Sequence, residues 1–72
     1  MVNIEKLKEK MRIKGYTPRS LSNKIGIDTS TLYRRYMNNG SDFTIEEVEA
    51  IADALDLSNE DFNNIFFASE VA

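Results

Sequence analysis

The chain has no cysteine and no histidine among its 72 residues. Those two absences exclude disulfide frameworks, zinc fingers, thiol or imidazole nucleophiles and nearly every transition-metal site. No apolar run approaches the roughly 20 residues that cross a bilayer. The opening MVNIEKLKEK is too charged for a signal peptide. A soluble, unprocessed, cytoplasmic chain is expected. Glycine is scarce, and Gly15, Gly26 and Gly40 stand too far apart for a phosphate-cradling loop; no GK[ST] triplet occurs. Glu46 and Glu47 are sequence neighbours and diverge on a helix, so they make no acid/base pair. The stretch from Asn59 to Asn64 lacks the glycine and the terminal glutamate of a calcium loop. The sequence therefore names no catalytic residue, no metal ligand and no cofactor, and an enzyme is not expected.

What is present is sharply divided by charge. The overall net charge is −3. Residues 1–36 carry all nine Lys and Arg against Glu5, Glu9 and Asp28, a net of +6; residues 37–72 carry nine acidic residues and no basic one, a net of −9. Such polarity gives a basic and an acidic face if the halves form separate surfaces, and a polyanion is the natural partner of the first. Lys6, Lys8 and Lys10 are equally compatible with a merely solvated helix face.

Helix punctuation organises the whole length, read as one small domain over residues 1–72. Asn3 caps a helix with Ile4, Leu7 and Met11 at helical spacing, and Gly15 ends it. Thr17 is an N-cap and Pro18 occupies the first helical position, where its missing N–H costs nothing. Leu21 and Ile25 lie one turn apart, and Gly26 supplies the left-handed stop. Asp28 caps a third helix carrying Leu32 and Tyr36, which runs out at Asn38-Asn39-Gly40. Thr44 and Glu47 form a capping box, with Phe43 and Val48 as hydrophobic staple, ahead of a stripe of Ile45, Val48, Ile51, Ala52 and Leu55. The same grammar recurs at Ser58 and Asp61, with Leu57 and Phe62 as the staple. The expected fold class is all-α, a compact bundle of about five short helices.

Two of these helices, each about two turns long and joined by a tight turn at Gly26-Ile27, have the layout of a helix-turn-helix. The turn requires a residue tolerant of positive φ, supplied by Gly26. Close helix contact requires a small side chain, supplied by Ser22. Leu21, Ile25, Ile27 and Leu32 fall where the unit must be apolar to hold its angle.

From Ile4 to about Phe66 the chain resembles the lambda-repressor-like, Cro/CI-type (XRE) domains of phage and bacterial regulators, most of all small phage-encoded ones. The resemblance rests on Leu7, Thr17, Leu21, Ser22, Ile25-Gly26-Ile27, Thr31-Leu32 and the run Ile51-Ala52-Asp53-Ala54-Leu55-Asp56-Leu57-Ser58. It implies a sequence-specific transcriptional regulator, a repressor or Cro-like protein, that places a recognition helix (residues 29–37) in the major groove of double-stranded operator DNA, usually as a homodimer on a near-palindromic site. Three positions depart from the family. Pro18 replaces a glutamine that touches phosphate. Met11 and Tyr36 stand where an Arg–Glu pair is common, so an apolar contact is expected there; a buried pair replaced as a unit need not cost stability. Arg35 takes an apolar position, its stem packing while its guanidinium reaches outward.

The resemblance assigns base reading to the start of the recognition helix: Thr29, Ser30 and Arg34, with Tyr33 beside them. Arg34 can pair bidentately with guanine. Thr29 and Ser30 are also common simply as helix starters, and Tyr33 could be a half-exposed ring packed on a neighbour. Thr17, Arg19 and Ser20, at a helix N-terminus, suit a phosphate, as do Arg35 and, after the recognition helix, Asn38, Asn39 and Ser41. Those three are equally ordinary turn residues. The acidic half either confers solubility or orients the molecule away from DNA. Phe62, Phe66 and Phe67, with Ile65, exceed what one helix face buries and are compatible either with a dimer or partner surface, with Phe67 the residue left exposed, or with a monomer in which Phe67 folds back onto its own core. An interaction module that binds a second regulator protein through this helix is the alternative.

Overall fold

The computed structural model describes residues 2–68 and builds them from helices alone: α1 (Ile4–Ile13), α2 (Pro18–Ile25), α3 (Thr29–Met37), α4 (Ile45–Leu55) and α5 (Asn59–Phe66). Four of the five starts carry a side-chain cap. The Asn3 side chain accepts the Lys6 N–H at 3.1 Å. Thr17 and Ser20 exchange bonds as a capping box, the Ser20 N–H to Thr17 Oγ1 at 3.1 Å and the Thr17 N–H to Ser20 Oγ at 2.9 Å. Thr44 and Glu47 do the same at 3.0 and 3.1 Å. Such caps satisfy backbone donors that a helix end leaves free and contribute about 1 kcal/mol each.

α2 packs on α3 and α4, while α1 packs on α5. Leu7, Met11, Leu21, Leu32, Tyr36, Ile51, Leu55, Ile65 and Phe66 make one core, and the Asn3 N–H ties the start of the chain to α5 through the Ile65 carbonyl at 2.6 Å. The helix-turn-helix closes as its physics requires. Ser22 is fully buried, its hydroxyl donating to the Pro18 carbonyl at 2.6 Å. Its own carbonyl accepts from Gly26 at 2.9 Å and Ile27 at 3.0 Å, with Gly26 at φ +83°. The expected Met11–Tyr36 contact is present: the buried phenol donates to the Met11 sulfur at 3.0 Å. Burial first, and then the neighbouring Tyr33, pushes the Tyr36 pKa up to about 12. Gly40 (φ +77°) seals the loop after α3 against the N-terminal segment, where a Cβ would come within 2.5 Å of the Val2 Cβ.

Three sequence expectations fail locally. Ile45 is 79% exposed instead of part of the buried stripe. At 100° per residue it lies about 90° from the middle of the Val48–Ile51–Leu55 face, in a first turn that is not covered there. Asp28 has N-cap backbone geometry but makes no side-chain cap bond. Asp61 receives no return arm of a capping box; Ser58 accepts the Asp61 N–H at 3.1 Å, while the carboxylate bridges to Lys10 Nζ at 2.9 Å and ties α5 to α1.

Candidate nucleic-acid interface

The start of α2 and the start of α3 face each other across an open cleft of about 630 Å³ whose walls include Thr17, Arg19, Asn23, Asp28, Thr29 and Tyr33. Two helix N-termini thus share one concavity. Their free N–H groups and dipoles favour an anion there, and Arg19 adds a full charge. Asp28 opposes it. Thr17 and Ser20 are exposed but already hydrogen-bonded to each other as the α2 cap. Both hydroxyl protons are spent inside that cap, Thr17 Oγ1 donating to Ser20 Oγ and Ser20 Oγ to the Thr17 carbonyl, so a phosphate gains a side-chain bond here only by displacing one of them.

On α3 the outward face consists of Ser30, Tyr33, Arg34 and Met37, all exposed. Thr29 is half-buried and reaches the cleft. Arg34 extends along the helix, Nη2 donating to Thr31 Oγ1 one turn back at 3.1 Å. Tyr33 is 50% exposed and stands edge-on to Tyr36, with centroids 6.1 Å apart. Its ring separates the α2–α3 cleft from a second groove lined by Ile4, Lys8 and Met37. Both readings of Tyr33 therefore hold at once, one edge packed and the other presented to solvent.

Arg35 turns inward rather than outward. Its Nε and Nη2 donate to the two carboxylate oxygens of Glu47, each at 2.9 Å, and the side chains are only 19% and 13% exposed. The sequence expectation of an outward guanidinium is corrected by a carboxylate that the next helix places within reach. The hydrogen bond to Arg35 holds the Glu47 pKa below its ordinary 4.5, against the opposing effect of burial. A carboxyl lowered by folding stabilises fully above its unfolded pKa, so this contribution is complete at neutral pH and is lost as pH falls below about 4.5.

In the loop after α3, the Asn38 amide donates to Asp42 and the Ser41 hydroxyl to the Asn38 carbonyl. Both residues thus spend polar groups inside the loop, beside a carboxylate that repels phosphate. Asn39 (φ +57°) is exposed. Of the three aromatic residues assigned to a partner surface, Phe66 belongs to the core at 5% exposure, Phe62 is half-buried, and Phe67 is 65% exposed, as the partner-surface reading expects. Phe67 lies with Ile45, Val48 and Phe62 along one apolar groove.

Sequence reasoning missed Asn23, Thr31 and Glu47. Asn23 was recoverable, because it falls one turn before the Gly26-Ile27 turn on a helix whose Leu21, Ser22 and Ile25 face inward. The Arg34–Thr31 contact was readable as an i−3 pair. The Arg35–Glu47 pair spans two helices and a loop and carries no local signal. No helix among the described residues is long and apolar enough to cross a membrane.

A family model described as a Cro/C1-type HTH DNA-binding domain matches residues 6–67. No curated protein and no solved structure matches the chain.

Proposed function

The chain belongs to the Cro/C1-type helix-turn-helix DNA-binding domain family, and we propose that it is a sequence-specific transcriptional regulator, a phage-type repressor or Cro-like protein that acts by occupying an operator. The observation that carries this reading is the outward face of α3. Ser30, Tyr33 and Arg34 point away from the core beside a cleft that joins two helix N-termini. Lying in the major groove, α3 reads bases through Arg34, with Thr29, Ser30 and Tyr33 contributing. Arg19, through its guanidinium and the one N–H that Pro18 and the Thr17–Ser20 cap leave free at the start of α2, and Asn39 hold the flanking phosphates. Such contacts set register without carrying sequence information. Arg35 drops out of the phosphate set because its guanidinium is directed to Glu47. Two copies on a near-palindromic site complete the reading.

A second reading has its own observation. The apolar groove with Phe67 and Ile45 at its exposed edges, 65% and 79% accessible, suits a second regulator protein or a second copy.

Fluorescence anisotropy separates the two. A duplex selected from a random library, and the unselected library, are titrated with the protein at two salt concentrations. The regulator reading expects tight binding to the selected duplex, weakening with salt by about 0.9 in log K per log unit of salt for each phosphate neutralised. Equal, weak binding to both pools at low salt is the result that defeats it.

A further inference from the structure

We propose that Glu47, on α4 and away from the outward face of α3, is a positioning residue for base reading: its carboxylate holds Arg35 and thereby fixes the rotation of α3 that aims Arg34. The inference rests on the DNA-binding reading above and adds the device that sets its geometry.

The core grips α3 mainly through Leu32 and Tyr36, both buried and four residues apart. At 100° per residue those two lie almost in line along the helix, so they resist rolling weakly. Arg35 projects about 80° to one side of the middle of that line, whereas Arg34 lies about 180° away, on the opposite face. A bond at Arg35 therefore acts as a lateral stay. Side-chain atoms about 6 Å from the axis move about 1 Å for a 10° roll. That already exceeds the roughly 0.5 Å within which a productive recognition geometry must be held.

The anchor is itself fixed. Glu47 Oε1 accepts the Arg35 Nε and the Thr44 N–H together, at 2.9 and 3.1 Å, while Oε2 accepts Arg35 Nη2 at 2.9 Å. A carboxylate locked into the cap of α4 cannot follow α3 if it rolls. Fork-to-carboxylate geometry also fixes direction as well as distance. The pair is largely covered by protein, so water does not loosen it as it would an exposed bridge.

The test uses Glu47→Gln, which keeps size and packing. A core variant of comparable thermal loss, Ile51→Val, serves as the structural control, and all binding is measured well below each midpoint. Expected for Glu47→Gln is about tenfold weaker binding to the selected duplex, with binding to the random pool and the salt slope unchanged; Ile51→Val leaves the selected-to-random ratio intact. In the free protein, residual dipolar couplings of the α3 amides shift in Glu47→Gln relative to the α1–α5 frame. Unchanged couplings, or equal ratios in the two variants, overturn the proposal. So does a salt slope reduced by about 0.9 in Arg35→Gln alone, which would make Arg35 a phosphate contact. A wild-type chain that selects no duplex overturns the regulator reading; the couplings then decide separately whether Glu47 fixes α3.

Discussion

Arg34→Ala is expected to weaken binding to the selected duplex by about 5- to 150-fold, the range for one lost bidentate base contact, while random duplex loses far less. The side chain is exposed on the face of α3 opposite the core, and its one side-chain hydrogen bond among the described residues is to Thr31. Its removal therefore takes nothing from packing. Alanine is also the better helix former, so the melting temperature is expected to hold or rise slightly. That combination, with affinity for one sequence gone and the fold intact, is specific to a base reader. A phosphate contact would weaken both duplexes alike and lower the salt slope by about 0.9. Competition between the selected duplex and variants altered one base pair at a time adds a second check. The alanine variant should lose discrimination at one position and keep it elsewhere.

Leu32→Ala carries the largest expected effect on the fold. Leu32 is fully buried in the centre of α3, where α2 packs against it. A leucine-to-alanine change at such a site costs about 2–5 kcal/mol through lost transfer energy and the cavity left behind. A chain of 72 residues has roughly 4–11 kcal/mol to lose. For a domain of this size each kcal/mol shifts the midpoint by about 4–8 °C, so a fall of at least about 8 °C is expected by far-ultraviolet circular dichroism. The lower end of the stability range leaves the variant largely unfolded at body temperature. A loss below about 1 kcal/mol would mean that α3 is not held by this core. Tyr36, whose phenol is spent on Met11, would then be the next residue to vary.

The bundle was legible in the sequence because its information is local. Caps at Asn3, Thr17, Thr44 and Ser58, the left-handed Gly26, and apolar spacing from Leu7 to Met11 and Leu21 to Ile25 each act within one or two turns. The helices begin where those residues say. The replacement of an ion pair by a Met11–Tyr36 contact was also readable, through the family resemblance that puts an Arg–Glu pair at those two positions. The failures have a common cause in partners that lie far along the chain. Ile45 has the hydropathy of a core residue, yet it lies about 90° off the buried face of α4 and no other element covers that side of the first turn. Phe66 and Phe67 are identical in type, and their opposite fates depend on a rotation of 100° at the end of α5. Arg35 reads as a cation beside Arg34, and only the return of α4 gives it Glu47. Asp61 looks like a capping residue until Lys10 arrives from α1.

The charge division carries over into surface chemistry only in part. Arg35–Glu47 and Lys10–Asp61 cross the boundary between the halves, each removing one cation from the basic half and one anion from the acidic half. Lys6, Lys8, Arg12, Lys14, Arg19, Lys24 and Arg34 take no part in an ion pair among the described residues and remain for a polyanion, Lys8 lying over the Tyr36 ring.

The most direct measurement is a titration of isotope-labelled protein with the selected duplex, following every backbone amide by NMR. The account predicts that shifts concentrate at Thr17, Arg19, Ser20 and Thr29–Arg34, while Glu46, Glu49 and Asp53 on α4 stay still. Shifts centred on Ile45, Phe62 and Phe67, or spread evenly over the surface with no saturation, would contradict it.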